Sequence, residues 1–394
     1  MEDRLLETLR AAKCAAMNHK DRSIGKAEIA GPMRPLAEAS ALAPRFYTDP
    51  QIYALEAKRI FADSWISIGR VDQVAKPGDY FSYELIGERI LAVRDHDGRV
   101  HVMSAICRHR GMPVVAGSGS ANSFQCPYHR WTYALDGRLL GAPEMDQAVG
   151  FDRSQCKLGE IRSEIWEGWI FVNLNNGAAP LAPQLEPLRR AIANYGYSAW
   201  RTTEPTLYDS PWNWKVMVDN FMESYHHAGI HADTLQPLVP ASGTYADDSE
   251  GPYAILHNPT KRRVPMPSSL PVSQALTPEQ RSEFVVVAIF PFHLFSISPD
   301  SMQYYQIQPL AVDRLTLRIF NCLPPESQLP EYAGTTAAIR DFVNSVHLQD
   351  IVACEGVQAG YRSRLARPGR YSHLEKALWQ FHRYVLGRLT AEEK

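Results

Sequence analysis

Short runs of apolar residues, separated by turn-forming residues, fill the region between about residues 46 and 178. The runs at 89–94 and 168–174 predict strands, and the segments 76–79 and 95–98 are rich in Gly, Asp and Pro. Short strands joined by turns of this kind are typical of a small all-β domain.

The region after residue 179 combines strands with long helices. Apolar runs at 284–290, 302–308 and 315–320 predict strands, and a helical pattern runs from about Glu331 toward the C-terminus. The segment 237–271 is crowded with Ser, Gly, Asp and Pro, which predicts a long loop that is either a binding loop or an irregular connection. The pattern as a whole predicts an α+β protein.

Two turn-rich segments, 30–35 and 175–183, mark the boundaries between these regions. We therefore expect an N-terminal helical extension at 1–45, a small β domain at 46–178 and a larger domain at 179–394. The first residues alternate Leu with charged side chains, which predicts a short amphipathic helix rather than a signal peptide.

Composition and charge narrow the functional classes. The chain has 394 residues, 45% of them apolar, and a formal net charge of −2, so it shows no electrostatic footprint for nucleic acid. Its longest apolar stretch, 284–290, is far too short to cross a membrane, and a cytoplasmic location is expected. Four cysteines without paired spacing argue against a disulfide framework: Cys14, Cys156, Cys322 and Cys354.

Two short motifs combine one thiol and one imidazole each: Cys107-x-His109 and Cys126-x-x-His129. Two Cys on one iron and two His on the other hold an asymmetric [2Fe-2S] cluster, whereas the same four side chains also suit a tetrahedral structural zinc site. Common zinc spacing groups Cys with Cys and His with His. The mixed loops therefore favour iron-sulfur, with zinc as the competing interpretation.

The flanking sequences 107–111 and 126–137 resemble the Rieske domain of ring-hydroxylating oxygenases. Respiratory Rieske proteins carry an additional Cys in each cluster loop, and Met112 and Tyr128 stand at those places here. The resemblance therefore implies a disulfide-free Rieske [2Fe-2S] centre. Trp131 and Tyr133 flank the second loop, where ordinary packing is their default role.

A second group of metal-binding residue types follows Asn-Trp-Lys at 213–215. In a continuous helix, Asp219, Glu223 and His226 would share one face, with His227 turned about 100° away, and a break at the following glycine would let His231 return toward His226. Two imidazoles and one carboxylate form the facial triad of non-haem Fe(II) sites. An isolated His is usually structural, but three within six residues beside two acids favour a metal site.

This segment also resembles the mononuclear-iron motif of the same oxygenases. The resemblance implies that His226 and His231 are iron ligands, that Glu223 is the acid through which electrons arrive, and that Asp219 assists catalysis. Asp219 or Tyr225 is the candidate that orients the histidines. Many ring-hydroxylating dioxygenases have Asp as the bridging acid, and Glu at this position resembles carnitine, choline and glycine betaine monooxygenases.

The third iron ligand must come from another part of the chain. The segment 349–360 resembles the C-terminal helix that supplies a carboxylate in this family, and Asp350 is the residue that the resemblance indicates. Glu355 and Asp341 remain rivals, because spacing alone does not identify the ligand.

The resemblance implies a Rieske domain followed by a helix-grip-like domain with an antiparallel sheet and long helices, assembled as a homotrimer, with a separate β subunit left open. It also implies a terminal oxygenase with two cofactors, the [2Fe-2S] cluster and Fe(II). No Gly-x-Gly-x-x-Gly fingerprint is present, so electrons from NAD(P)H should come through a separate flavin/iron-sulfur reductase, or a ferredoxin plus reductase.

The expected reaction is hydroxylation or N-dealkylation of a quaternary or N-methylated amine with O2. The alternative is mono- or dioxygenation of an aromatic acid, because the same aromatic faces suit either substrate. The candidate faces are Tyr225, Phe292, Phe295, Tyr304 and Tyr305. Two other classes stay open: a Rieske ferredoxin with a non-catalytic appendage, and a zinc-stabilised binding protein.

Overall fold

The computed structural model describes residues 24–391. Its α-helices are α1 (Lys26–Ala30), α2 (Pro50–Glu56), α3 (Leu181–Gln184), α4 (Glu186–Ile192), α5 (Trp214–Phe221), α6 (Pro278–Arg281), α7 (Ala333–Tyr361) and α8 (Lys376–Thr390). Its strands are β1 (Ile66–Arg70), β2 (Asp79–Leu85), β3 (Glu88–Arg94), β4 (Val100–Ser104), β5 (Ser118–Ser120), β6 (Phe124–Gln125), β7 (Thr132–Tyr133), β8 (Leu139–Gly141), β9 (Arg162–Trp166), β10 (Trp169–Asn173), β11 (Arg201–Thr202), β12 (Thr206–Ser210), β13 (Tyr245–Ala246), β14 (Tyr253–Pro259), β15 (Glu283–Ile289), β16 (His293–Ile297), β17 (Met302–Ala311) and β18 (Arg314–Leu323).

The N-terminal half contains small antiparallel sheets. Their strand orders are β4-β3-β2-β5, β6-β7-β8 and β1-β10-β9. The predicted strands at 89–94 and 168–174 are β3 and β10, so the prediction of an all-β region here is confirmed. The two Cys/His motifs lie in the connections after β4 and β6.

The C-terminal half is built on one antiparallel sheet of order β11-β18-β17-β16-β15-β14-β13, with β12 paired to β18. Side chains alternate between its two faces. Val286 and Tyr305 join the core that also contains residues of α5, α7 and α8, whereas Val285 and Tyr304 join a separate core with β10 and α4. One sheet face therefore carries the long helices and the other packs on β10 and α4, while residues of the N-terminal half contribute to both cores.

The three strands predicted in this region correspond to β15, β17 and β18, and the helix predicted from about Glu331 is α7. The α+β fold, with an antiparallel sheet and long helices, is therefore confirmed. No helix within residues 24–391 is long and apolar enough to cross a membrane.

The prediction of a continuous loop at 237–271 is wrong. The segment contains β14, which lies inside the sheet between β13 and β15 and is almost wholly buried. The apolar run of β14 is short and has turn-forming residues on both sides, so its sequence does not predict a strand. Its pairing with β15 determines its conformation. β16 was also missed, because its apolar stretch is only five residues long.

Residues 1–23, with the predicted amphipathic helix and Cys14, lie outside the described residues. None of the five cysteines within residues 24–391 forms a disulfide.

Candidate functional site

The two Cys/His loops have the same backbone construction. The Cys107 N–H donates to the Met112 carbonyl, and the Cys126 N–H donates to the Trp131 carbonyl, each over five residues. Gly111 and Arg130 take the left-handed conformation at equivalent places, with φ of 75° and 60°. Each loop therefore holds its thiol inward and brings the histidine to the tip.

The two histidines lie close together, and the two cysteines are buried in the same hydrophobic core. The Nδ1 atoms of His109 and His129 are 3.2 Å apart, while Cys107 and Cys126 are buried at 3% and 1% exposure. Two nitrogen ligands of one tetrahedral metal, with metal–nitrogen bonds of about 2.1 Å, lie roughly 3.4 Å apart. The distance between the two histidine nitrogens therefore fits binding to one metal of a two-metal cluster. Among the described residues, the four do not converge on a single point as a zinc site requires.

Tyr133 makes specific polar contacts in addition to packing. Its hydroxyl lies 3.2 Å from Cys107 Sγ and accepts a hydrogen bond from the Arg108 N–H at 3.0 Å. Trp131 stacks on the His109 ring, with centroids 4.8 Å apart. A hydroxyl that bonds to a cluster sulfur is positioned to adjust the reduction potential.

The prediction of one continuous helix from Asp219 to His226 is wrong. α5 ends at Phe221, and a 3-10 turn, Tyr225–Ala228, follows. The Glu223 carboxylate accepts a hydrogen bond from the His226 N–H at 3.0 Å. This side-chain bond to the backbone replaces the helical hydrogen bond and ends the helix before the predicted break at Gly229.

Three side chains nevertheless converge behind this turn. One potential ligand atom from each of His226, His231 and Asp350 lies within 4.8 Å of the others. Asp350 Oδ1 is 2.9 Å from His231 Nε2, 3.7 Å from His226 Nε2 and 2.9 Å from the Asn220 side-chain nitrogen. Two imidazole nitrogens and a carboxylate facing one point are the ligand set of a non-haem Fe(II) site.

The outer nitrogen of each histidine is already engaged. His226 Nδ1 lies 2.7 Å from Glu223 Oε1, and His231 Nδ1 lies 2.7 Å from Gln349 Oε1. Since each Nδ1–H has an acceptor, the Nε2 lone pairs point at the metal position. Gln349 was not predicted, and its place next to Asp350 was the only sequence signal for it.

The carboxylates and imidazoles of the site shift one another's pKa values. Burial lowers the pKa of His226, but the hydrogen bond and charge of Glu223 and the charge of Asp350 outweigh it, so the pKa is raised. Burial raises the pKa of Asp350, but His231 and His226 outweigh it, and the pKa is lowered. Burial lowers the pKa of His227 to about 4, and its Nδ1 bonds to the Val239 carbonyl, so His227 is neutral and outside the ligand group.

The expectation that Asp219 or Tyr225 orients the histidines is wrong. Asp219 accepts hydrogen bonds from the Tyr47 hydroxyl at 2.5 Å and from His382 Nε2 at 2.9 Å. Tyr225 is 55% exposed. Asp219 therefore anchors α5 to the N-terminal segment and α8, and the geometry gives it no contact with the metal position.

The rivals for the third ligand lie elsewhere on the same helix. Asp341 and Glu355 are exposed, whereas Asp350 is 6% exposed and faces the histidines.

A cavity of about 630 Å³ opens beside this group. Of the predicted aromatic faces only Tyr305 lines it; Phe292, Phe295 and Tyr304 are core residues. The aromatic residues that line the cavity are Phe221, Phe284, Tyr305 and Phe342. Alternation along β15 and β17 decides which aromatic side chains face the cavity.

Comparison with known families identifies both halves. Residues 64–159 match the Rieske [2Fe-2S] domain, and residues 197–391 match the ring hydroxylating alpha subunit (catalytic domain). The chain belongs to the Rieske non-haem iron oxygenases. Within this family, the Cys107/His109 and Cys126/His129 loops lie in the matched Rieske region and the three-residue group lies in the matched catalytic region. The cofactors of this Rieske oxygenase are a [2Fe-2S] cluster and a mononuclear iron.

The names of two similar relatives give carnitine and choline, both quaternary ammonium compounds, as their substrates. The carnitine monooxygenase oxygenase subunit of Acinetobacter baumannii is 37% identical over 202 residues, 48% of this chain and 53% of the relative. The chloroplastic choline monooxygenase of Spinacia oleracea is 27% identical over 369 residues, 89% of this chain and 79% of the relative. This Rieske oxygenase thus matches about half the length of its carnitine monooxygenase relatives.

Solved structures agree with the assignment. The quaternary ammonium Rieske monooxygenase CntA superposes with a TM-score of 0.79 at 25% identity, over 94% of this chain and 100% of that chain. Naphthalene 1,2-dioxygenase from Rhodococcus sp. shares the fold at a TM-score of 0.75 and 20% identity, over 90% of this chain and 95% of that chain. The Rieske oxygenase described here therefore resembles the quaternary ammonium branch, as Glu223 indicated.

Proposed function

We propose that this protein is a terminal oxygenase that hydroxylates or N-dealkylates a small quaternary or N-methylated amine with O2. The observation that carries the proposal is the His226, His231 and Asp350 group, whose Nε2 and carboxylate atoms face one point beside an apolar cavity. The names of the relatives support the amine as substrate.

His226, His231 and Asp350 are the proposed iron ligands, and Cys107, His109, Cys126 and His129 would hold the cluster. When bound, the [2Fe-2S] cluster would supply single-electron transfer and the iron would supply dioxygen chemistry, neither of which side chains can perform. The protein's own contribution is orientation. Glu223 and Gln349 hold the Nδ1 protons of the two histidines, and Asn220 donates to Asp350, which keeps all three ligands in one arrangement.

Glu223 is also the proposed entry point for electrons. Its carboxylate bonds to His226 and remains partly exposed, at 14% of the side-chain surface. The cluster histidines His109 and His129 are likewise only partly buried, at a tip with exposed arginines. An exposed basic tip and a partly exposed carboxylate complement each other between two copies of the chain.

The complementary charges support electron transfer from the cluster of one subunit to the iron of its neighbour, and the resemblance to the family makes a homotrimer the proposed assembly. A test is to co-assemble two inactive variants, Cys107→Ala and His226→Ala. Exchange between subunits predicts partial recovery of turnover in the mixed oligomer, while electron transfer within one chain predicts none.

Electrons are proposed to come from a separate reductase, of the flavin/iron-sulfur type or a ferredoxin with its own reductase. The sequence has no dinucleotide-binding fingerprint of its own, which supports this requirement.

The deciding experiment supplies the iron-loaded protein with a generic reductase, NADH and air, against a panel of N-methylated amines and aromatic acids. We expect product formation coupled to NADH oxidation for an amine, abolished in His226→Ala and retained in His96→Ala, which alters an exposed histidine. A reducible cluster without product from any compound would contradict the oxygenase proposal. Product from the aromatic acids alone would contradict the amine.

A further inference from the structure

We infer that Asp300 makes the cavity selective for a small organic cation without a carboxylate group. This inference rests on the proposed function, because it concerns the substrate cavity of the same metal site. It separates the possible amine substrates by charge, which neither the family match nor the metal ligands do.

Within residues 24–391, the cavity lining contains acidic side chains but no Lys or Arg side chain. The acidic residues that line it are Glu223, Asp300 and Asp350. Glu223 is bonded to His226, and Asp350 faces both histidines. Asp300 is therefore the one lining carboxylate that the metal site does not use.

Asp300 lies in the turn between β16 and β17 and is 8% exposed. Its Oδ2 accepts hydrogen bonds from the backbone N–H groups of Ser269 and Leu270, at 2.8 and 3.2 Å. Among the described residues it has no ion-pair partner, and no hydrogen bond reaches Oδ1. Buried carboxylates are normally paired with a cation, so a positively charged ligand in the cavity would complete this site.

Aromatic rings in the same cavity add a second means of holding a cation. Tyr305 and Phe221 lie with centroids 4.7 Å apart, and Phe284 and Phe342 also line the space. The faces of such rings attract ammonium groups. A neutral molecule of the same shape would gain the apolar contact but lose the attraction to Asp300 and to the rings.

A substrate carboxylate has no cationic side chain to meet in this cavity. A zwitterionic amine such as glycine betaine would place its carboxylate among acidic and neutral groups, with the metal as the only positive centre. The geometry therefore favours an amino alcohol or a simple methylated amine over an amino acid betaine.

Anaerobic titration calorimetry on the full-length, metal-loaded protein tests this inference. The probes are choline, its neutral isostere 3,3-dimethylbutan-1-ol, glycine betaine and γ-butyrobetaine. We expect choline to bind at least tenfold more tightly than each of the other three. Equal or tighter binding of either betaine, or of the neutral isostere, overturns the inference.

The variant Asp300→Asn separates recognition from a merely structural role. It should remove the preference for choline over the isostere while changing the isostere's affinity less than about twofold. Equal weakening of both probes would show that Asp300 only anchors the 269–270 backbone, and would overturn the inference. Asp209→Asn, which removes an exposed carboxylate on the same sheet, should alter neither affinity.

If Asp300→Asn does not fold, Asp300→Glu serves as the second variant and should retain the preference. The wild-type probe series decides the question without either variant. Tight choline binding without NADH-coupled oxidation would contradict the proposed function and leave the selectivity intact. Oxidation of carnitine without any preference for choline would overturn the selectivity and leave the proposed function intact.

Discussion

His231 Nε2 and Asp350 Oδ1 lie 2.9 Å apart although the two residues are 119 positions apart in the chain. The contact exists because α5, which leads into the histidine turn, and α7, which carries Asp350, pack on the same sheet face. Helix packing thus supplies the carboxylate to a site whose histidines come from one short segment.

Asp350→Ala should remove the mononuclear iron and leave the cluster in place. Iron per chain is expected to fall from about three to about two atoms, because the cluster ligands are unaffected. Elemental analysis together with the EPR signal of the reduced cluster measures both. Glu355→Ala and Asp341→Ala, on the same helix but exposed, are the matched controls and should keep all iron. Iron loss in Glu355→Ala with retention in Asp350→Ala would reassign the ligand.

Gln349→Leu should weaken metal binding by roughly 10- to 100-fold, because His231 Nδ1 loses the acceptor that fixes its ring. Competition with a metal chelator gives the affinity. Thr234→Val removes the other group bonded to the same Gln349 oxygen and should have a much smaller effect. Equal effects of the two variants would show that the local hydrogen-bond network, rather than the histidine orientation, matters.

Glu223→Gln should leave both metal sites occupied while lowering turnover by about 100-fold or more, since the proposed electron path passes through this carboxylate. Single-turnover measurements of cluster oxidation, with iron content as the control, test this. Normal turnover with the reductase would remove the bridging role from Glu223.

The same variant should change how metal binding depends on pH. Glu223 raises the pKa of His226, and a protonated imidazole cannot bind metal. Replacement by Gln lowers that pKa, so metal binding should persist to lower pH than in the wild type. Co(II) titrations between pH 5 and 8 compare the two; an unchanged midpoint would contradict the assigned interaction.

Tyr133→Phe should lower the reduction potential of the cluster by roughly 20–65 mV, which corresponds to one hydrogen bond of about 0.5–1.5 kcal/mol in a one-electron step. The Tyr133 hydroxyl near Cys107 Sγ stabilises the reduced cluster, which carries more negative charge. Redox titration followed by EPR provides the value. Tyr80→Phe, whose ring packs against Phe124 in the same domain, is a control expected to leave the potential unchanged.

The interaction of His257 with two carboxylates should make the stability of the protein depend on pH. It lies 3.3 Å from Asp247 and 3.1 Å from Glu283; burial lowers its pKa, but these carboxylates outweigh burial and raise it to about 9. A raised pKa contributes stability that is complete below the unfolded value near 6.5 and is lost as pH rises through about 9.

The melting temperature should therefore fall between pH 6.5 and 9, by an amount equivalent to about 1–3 kcal/mol. His257→Gln should remove this dependence and start from a lower stability at pH 6.5. Circular dichroism melts across this range test both statements. A wild-type melting temperature that rises over the same interval would contradict the assignment.

The family was recognisable in the sequence because the Cys/His loops and the segment with His226 and His231, which carry the resemblance, are short motifs. β3, β10, β15, β17 and β18 were found for a similar reason, since their apolar runs are long enough to show a period. The local conformation around Glu223 was predicted incorrectly, because a side-chain bond to the backbone at His226 ends the helix early.

The sequence by itself indicated a [2Fe-2S] cluster and a mononuclear iron through its resemblance to the Rieske oxygenases, because the motifs that carry the resemblance are short and local. Only the tertiary structure decided the rest. It places Asp350, and neither of its two rivals on the same helix, beside the two histidines. It also gives Asp219 structural contacts and decides which aromatic rings face the cavity. Each of these depends on which side of an element packs against the sheet, and that is decided by contacts between residues far apart in the chain.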